Sequence, residues 1–241
     1  MFNRAWLAGG IPRTACVAAY EPVCAVSRAD SYINRANPGT YDATAPVAAP
    51  TWADSTGWTF NGTTQYLSTG LNQADGMSVV LRLSNLSGAV GTPFGDRGDP
   101  RIFLVANHPE FWHYGSYSGG GTTLVGTQVQ VTAITPGRGY LNGRLVTEFT
   151  YTWGGGSYLP MTIGARNYSG GVYSFMGVDI QALYIYNVTL TPTQVKAVTD
   201  AMNMLPMRPQ LPRFRSWMMG GALTQFRKAF GLRTGSRGVP E

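Results

Sequence analysis

The chain has 241 residues, 44% of them hydrophobic but only 12% charged, with a formal net charge of +6. Its 31 glycines and 15 prolines make up roughly a fifth of the chain, against a usual ~12%, which argues against a helical bundle and for short strands joined by turns. The length suffices for one substantial core, and the apolar runs, such as Ala182–Tyr186, fall far short of the ~20 residues of a membrane-spanning helix.

At the N-terminus Met1-Phe2-Asn3-Arg4 leads into Ala5-Trp6-Leu7-Ala8, but Gly9-Gly10-Ile11-Pro12-Arg13 interrupts the apolar run before it reaches the length of a secretory signal core. Residues 1–16 read as an ordered or docking arm. Cys16 and Cys24 are the only cysteines. Two thiols in a chain able to form its own core make no disulfide framework, and neither has a neighbouring His that would suggest a metal site.

From Val17 to Leu205 the chain reads as strands punctuated by turns. Met77, Val79, Leu81 and Leu83 alternate with Ser78, Val80, Arg82 and Ser84, the two-residue period of a half-buried strand. Short β-rich runs follow at Ile102–Val105, Leu145–Tyr151 and Met161–Ile163. Tyr140-Leu141-Asn142-Gly143-Arg144 carries the Asn-Gly pair that tolerates the positive φ angles of a two-residue hairpin turn. Glycines at 95, 98, 115, 119–121 and 154–156 mark further loops. Val178–Tyr186 is nearly continuous in apolar and aromatic residues, as in a strand covered on both faces. Thr191-Pro192-Thr193-Gln194 then has the form of a capping box with Pro at the first helical position. Val195, Val198, Met202 and Leu205 fall on one face of the helix so started, and Pro206 stops it. The helix is expected to close one end of the sandwich.

The last segment, 206–241, is different in kind. Seven basic residues against Glu241 alone account for the whole net charge, so that the preceding 205 residues balance to zero. Pro209 and Pro212 favour extended backbone, Arg213-Phe214-Arg215-Ser216-Trp217 interleaves charge with large apolar groups, and Ala222–Phe230 is a short helix candidate with Leu223, Phe226 and Phe230 on one face and Arg227 and Lys228 beside it. Burying three large side chains contributes about 1.5–3 kcal/mol each, whereas ordering nine backbone residues costs roughly 1–2 kcal/mol apiece. Order there requires a partner surface, and the docking set is Arg208, Arg213, Phe214, Arg215, Trp217, Leu223, Phe226, Arg227, Lys228, Phe230 and Arg233. An acidic protein surface, nucleic acid and an anionic membrane could each meet the charge. The interleaved aromatics favour protein, because purely electrostatic binding would not need them.

Several of these segments in order resemble the concanavalin A-like lectin/glucanase jelly roll, in particular its laminin-G-like branch. The pieces are Trp58-Thr59-Phe60-Asn61-Gly62-Thr63-Thr64-Gln65-Tyr66-Leu67, Gly139–Gly143, Thr162–Arg166, and Phe175–Asn187 followed by Leu190-Thr191. The resemblance covers roughly Val17–Leu205. It implies an all-β fold, a two-sheet antiparallel jelly-roll sandwich with one short C-terminal helix, and so a division into an arm (1–16), the jelly roll (17–205) and a basic aromatic arm (206–241). Such domains occur in sugar-binding proteins, in glycoside hydrolases and in accessory proteins of bacteriophage virions. The segments Ala19–Pro22, Asn34–Tyr41 and Pro50–Trp52 look like those of the phage proteins.

The motifs give little catalytic chemistry. The hydrolase branch sets its carboxylates as Glu-x-Asp-x-x-Glu, and none of Glu21, Glu110 or Glu148 begins that pattern. Asp179 stands alone on a strand, at a rim or hydrogen-bonded position. His108 and His113 with Glu110 could supply three zinc ligands, but a strand–loop segment need not bring them together. Neither a Gly-x-Ser-x-Gly elbow nor a phosphate loop is present. Binding is the better expectation. Trp112, His113, Tyr114 and Tyr117, beside the Gly119–Gly121 loop, could stack on a sugar. Asp96 and Asp99 on a Gly-rich turn could hold calcium, whose hard oxygen ligands laminin-G-like domains often place at a loop rim.

The expectation is a non-enzymatic structural protein of a phage virion, head or tail, that docks through its terminal arms onto other virion proteins or copies of itself and resides in the virion. The alternative is a soluble lectin with a glycan site on its loops.

Overall fold

The structure, a computed structural model, describes residues 4–87, 91–95, 102–105, 110–113, 116–119, 129–148, 150, 160–168 and 171–205. The chain divides into two units, Met1–Arg208 and Pro209–Glu241, and everything described belongs to the first.

In chain order the strands are β1 (Cys16–Tyr20), β2 (Thr51–Ala53), β3 (Gly57–Asn61), β4 (Leu67–Asn72), β5 (Ser78–Ser87), β6 (Phe94–Gly95), β7 (Ile102–Val105), β8 (Glu110–His113), β9 (Ser116–Gly119), β10 (Gln130–Thr135), β11 (Arg138–Leu141), β12 (Arg144–Glu148), β13 (Pro160–Ile163), β14 (Arg166–Tyr168), β15 (Gly171–Tyr173) and β16 (Gly177–Tyr186). Two helices join them, α1 (Arg28–Ser31) and α2 (Pro192–Asn203). One sheet has eight strands, ordered β12-β11-β10-β5-β16-β3-β2 with β1 also on β16; the second has six, ordered β4-β13-β6-β7-β8-β9; β14 and β15 form a separate hairpin. Neighbouring strands pair antiparallel throughout. The fold is the all-β sandwich that the sequence predicts.

Two apolar cores lie on opposite faces of the eight-stranded sheet. The first fills the space between the sheets and contains Trp58, Phe60, Leu67, Leu81, Leu83, Phe94, Ile163 and Ile180. The second joins Val80, Ala133, Tyr140, Ala182, Tyr184 and Tyr186 of the sheet to Val195, Val198 and Met202 of α2 and to Trp6, Ile11 and Ala15 of the N-terminal segment. β16 is therefore buried at every position, as its nearly continuous apolar run suggests, with Asp179 and Gln181 buried among the apolar residues.

This second layer changes three expectations. First, α2 does not close an end of the sandwich; it lies flat on a sheet face, its apolar stripe against β5, β10 and β16. Second, β5 is not half-buried, because Ser78, Val80, Arg82 and Ser84 lie under that layer. Third, from Ala5 on, the segment set apart as an N-terminal arm packs into the body. Trp6 is 2% exposed, and its carbonyl accepts the Tyr186 hydroxyl at 3.1 Å.

Local chemistry explains the ends of the elements. The Thr191 hydroxyl accepts the Gln194 amide while the Gln194 side chain accepts the Thr191 amide, a complete capping box with Pro192 at the first position. Asn142 and Gly143 turn β11 into β12 with φ of 49° and 76°, the left-handed pair that a two-residue hairpin needs. A bulge between Ile180 and Ala182 shifts β16 against β5. Ile180 packs in the first core and Ala182 in the second.

The crossing from β1 to β2 is held by hydrogen bonds. Asn34 is fully buried. Its Oδ1 accepts the amides of Ala19 and Ala36, its Nδ2 donates to the carbonyls of Val17 and Thr40, and its own amide donates to Asp42 Oδ1 at 2.8 Å. The Tyr20 hydroxyl donates to the Tyr41 carbonyl, Trp52 Nε1 to the Pro22 carbonyl at 2.9 Å, and Arg28 to the Pro50 carbonyl at 2.7 Å.

Candidate functional site

Of the residues expected to bind sugar, Trp112 and His113 lie on β8 and Tyr117 on β9. The register sets Trp112 opposite Tyr117 on one side and Phe103 on the other, and His113 opposite Ser116. Two of the four thus occupy directly opposed register positions on the terminal hairpin of the six-stranded sheet. Tyr114, His108, the candidate calcium ligands Asp96 and Asp99, and the whole docking set from Arg208 to Arg233 lie outside the described residues. Among the described residues, no three His, Cys, Asp or Glu side chains gather in a way that could hold a metal ion.

Several carboxylates of the body are engaged with protein partners. Asp179, 3% exposed on β16, accepts from Thr59 Oγ1 on β3 and from Asn85 Nδ2 on β5, and thus ties three adjacent strands. Asn85 reaches it from a left-handed backbone, φ 51°. Glu148 pairs with Arg138 at 3.0 Å on the surface, and Asp30 with Arg35 at 2.7 Å. Glu21 is half-buried and accepts the buried Tyr184 hydroxyl at 2.6 Å. Burial pushes its carboxyl above the usual glutamate range, while the bond from Tyr184 and the charge of Arg35 pull the other way. Such a group is a lock between β16 and the start of the β1–β2 crossing.

Sequence reasoning missed Arg82. It is 4% exposed beneath the second layer, and its Nη1 donates to the carbonyls of Met202 (2.9 Å) and Leu205 (3.4 Å). A cation there adds a donor to the last carbonyls of α2, of which Met202 also accepts the Leu205 amide, and meets the negative end of the helix dipole. Burial lowers its pKa, against the opposing influence of Cys24 and Tyr184. The usable signal was positional: an Arg on the strand that pairs with β16, a nearly continuous apolar run covered on both faces, has no solvent-facing side to occupy. Cys16 and Cys24 form no disulfide; burial drives the Cys16 thiol far above its usual value, so it is held as a neutral side chain.

No protein-family model and no curated protein matches the chain. Solved structures do. Trypanosoma rangeli sialidase, in complex with 2,3-difluorosialic acid, matches with a TM-score of 0.57 and 14% identity over 81% of this chain and 35% of that one. Domain 4 of AbnA, a GH43 extracellular arabinanase of Geobacillus stearothermophilus, in complex with arabinotriose, matches with a TM-score of 0.53 and 18% identity over 77% of this chain and 98% of the domain. A botulinum neurotoxin type C structure, whose cell entry depends on interaction with two ganglioside molecules, matches with a TM-score of 0.52 and 10% identity over 79% and 52%. The chain thus spans about a third of the sialidase. These likenesses fix the class: a β-sandwich of the type found in lectins and glycosidases. At such identities they define the fold and leave activity to the site.

Proposed function

We propose that this protein is a non-enzymatic carbohydrate-binding sandwich, with the β8–β9 hairpin as its glycan contact. The observation that carries this reading is the register that sets Trp112 directly opposite Tyr117 on paired strands. Adjacent aromatic residues are the recurring means by which proteins engage the apolar face of a sugar ring while leaving its hydroxyls hydrated. The likeness to nearly the whole of an arabinotriose-bound domain supports the same reading. The engagement of Asp179, Glu21 and Glu148 with protein partners favours binding over the common form of glycoside hydrolysis, which uses two carboxylates facing one bond. The test is a glycan array of the full chain, with and without calcium. Binding lost in Trp112→Ala and Tyr117→Ala variants is the expected result; turnover of a glycan abolished by changing one carboxylate would overturn the non-enzymatic part. Calcium dependence lost on Asp96→Ala or Asp99→Ala would assign the ion to that loop.

A second reading, a structural protein of a phage virion, is favoured by the charge pattern: the whole net +6 lies beyond Leu205, interleaved with Phe and Trp. In that reading the tail is a docking arm for other virion proteins or a second copy. A chain ending at Leu205 is then expected to fold but to stay out of assembled particles. Normal incorporation of the truncated chain refutes the arm.

A further inference from the structure

Four non-glycine residues among those described have left-handed backbone: Tyr41, Asn85, Asn142 and Ser174. Asn and Ser are small and polar, and Asn enters this region readily. Tyr41, at φ 59°, is the exception, a bulky side chain where glycine would be at ease. Its backbone is fixed by the core. The buried Tyr20 hydroxyl holds its carbonyl, Asn34 Nδ2 holds the Thr40 carbonyl, and Asp42 accepts the amides of Asn34 and Gly39. The side chains of the same turn face the other way. Asn37, Thr40 and Tyr41 are exposed, Tyr41 keeping 40% of its surface, and none of the three side chains makes a hydrogen bond among the described residues. A strained backbone locked in place, carrying a partly exposed ring and a hydroxyl and amide without hydrogen bonds among the described residues, is the arrangement of a contact surface rather than of a packing element.

We infer that the turn Asn37–Tyr41 is a second saccharide contact, with the Tyr41 ring as the platform for the C–H face of a sugar and the Thr40 hydroxyl and Asn37 amide as partners for its hydroxyls. This rests on the carbohydrate reading above and adds a site away from the β8–β9 hairpin in sequence. The preferred class is a neutral sugar. The charged group of this turn is the Asp42 carboxylate, which would repel a sialylated or sulfated ligand. A prefixed turn also loses little freedom when it binds, which favours affinity from a small contact.

The experiment uses the full chain, a panel of neutral oligosaccharides including arabinotriose, their sialylated counterparts, and the variants Tyr41→Ala, Tyr41→Gly and Trp112→Ala, with thermal unfolding of each. Both Tyr41 variants leave the carbonyl that Tyr20 holds in place. The expected result is neutral-glycan binding weakened about three- to tenfold in both, with Tyr41→Gly melting no lower than the wild type because glycine accepts the angle freely. If the wild type binds no glycan, both readings fall. If binding is lost in Trp112→Ala but unchanged in the Tyr41 variants, the hairpin reading stands and this one is overturned. It is overturned likewise if sialylated glycans bind better than neutral ones, or if Tyr41→Gly melts lower, which would make the ring a packing element.

Discussion

Replacing Trp6 by alanine tests the claim that the N-terminal segment belongs to the body. Trp6 is 2% exposed and sits in the second core with Tyr186, Val195 and Met202. A buried aromatic covers about 150–250 Å², which at about 25 cal/mol per Å² is roughly 4–6 kcal/mol as an upper bound. Large-to-small core substitutions of this kind cost about 3–5 kcal/mol, a sizeable part of a total stability of about 5–15 kcal/mol. The carbonyl that receives the Tyr186 hydroxyl is backbone, so that bond is kept, and the variant removes packing together with the cation–π contact of Arg4. Urea unfolding followed by far-ultraviolet circular dichroism reads the change without relying on the lost indole. Trp6→Phe, which refills most of the cavity, should recover the greater part of the loss. If Trp6→Ala costs less than about 1 kcal/mol, residues 5–15 are a detachable arm, and the two-core description of this sheet is wrong.

Three further outcomes are expected. Arg82→Met removes the side-chain donor of the Met202 and Leu205 carbonyls, although Met202 keeps the Leu205 amide; a buried carbonyl left without a donor costs about 1–3 kcal/mol, partly offset by relief of a buried charge. Amide exchange should therefore accelerate at the C-terminal end of α2 well beyond any fall in global stability, and unchanged protection there would exclude the capping role. Gly164→Ala would place a Cβ 2.3 Å from the Phe60 ring at a φ of 83°, so a loss of about 1–3 kcal/mol in urea unfolding is expected; a neutral substitution would show that the ring moves aside freely. Burial raises Glu21 above the ~4.3 of an exposed glutamate. A carboxyl that binds its proton more tightly when folded adds stability below the unfolded value and loses it as pH rises through the folded one. Thermal unfolding should show the wild type gaining on Glu21→Gln as pH falls from neutral through that window, and parallel profiles would refute the shift.

What could be read from the residues alone was whatever local chemistry dictates. The Asn142-Gly143 turn, the Thr191 capping box and the doubly covered β16 each follow from a few neighbouring side chains. The misreadings have one source. The segment around Trp6 carries no strand or helix period, because it is held by short turns against α2, so nothing in its pattern announces burial. Arg82 and Ser84 look like the wet side of a strand until the layer above them is known, and the carbonyl that Arg82 meets in it, that of Met202, is 120 positions away. The candidate site was legible in residue type: aromatics beside a glycine-rich loop. The pairing of Trp112 with Tyr117 depends on a register that composition does not set. Tyr41 was unreadable as a special residue, since its positive φ arises from the hydrogen bonds of Tyr20, Asn34 and Asp42.

Covering the eight-stranded sheet on both faces has a consequence for where recognition can occur. A sandwich with one wet sheet can bind across that sheet, but here one face meets the second sheet and the other meets α2 and the N-terminal segment, with β16 buried at every position. Its polar residues are spent inside: Asp179 on Thr59 and Asn85, Gln181 on Ser84, Arg82 on the end of α2. A ligand would have to displace the end of α2 to reach Arg82. Among the described residues, the surfaces left open to contact include the turns that cross the ends of the sandwich, such as Asn37–Tyr41, the exposed edge strands β2 and β12, and the six-stranded sheet with its β8–β9 hairpin. The two proposed sugar contacts lie on two of these elements, and the glycan array on Trp112 and Tyr41 variants tests them against the rest.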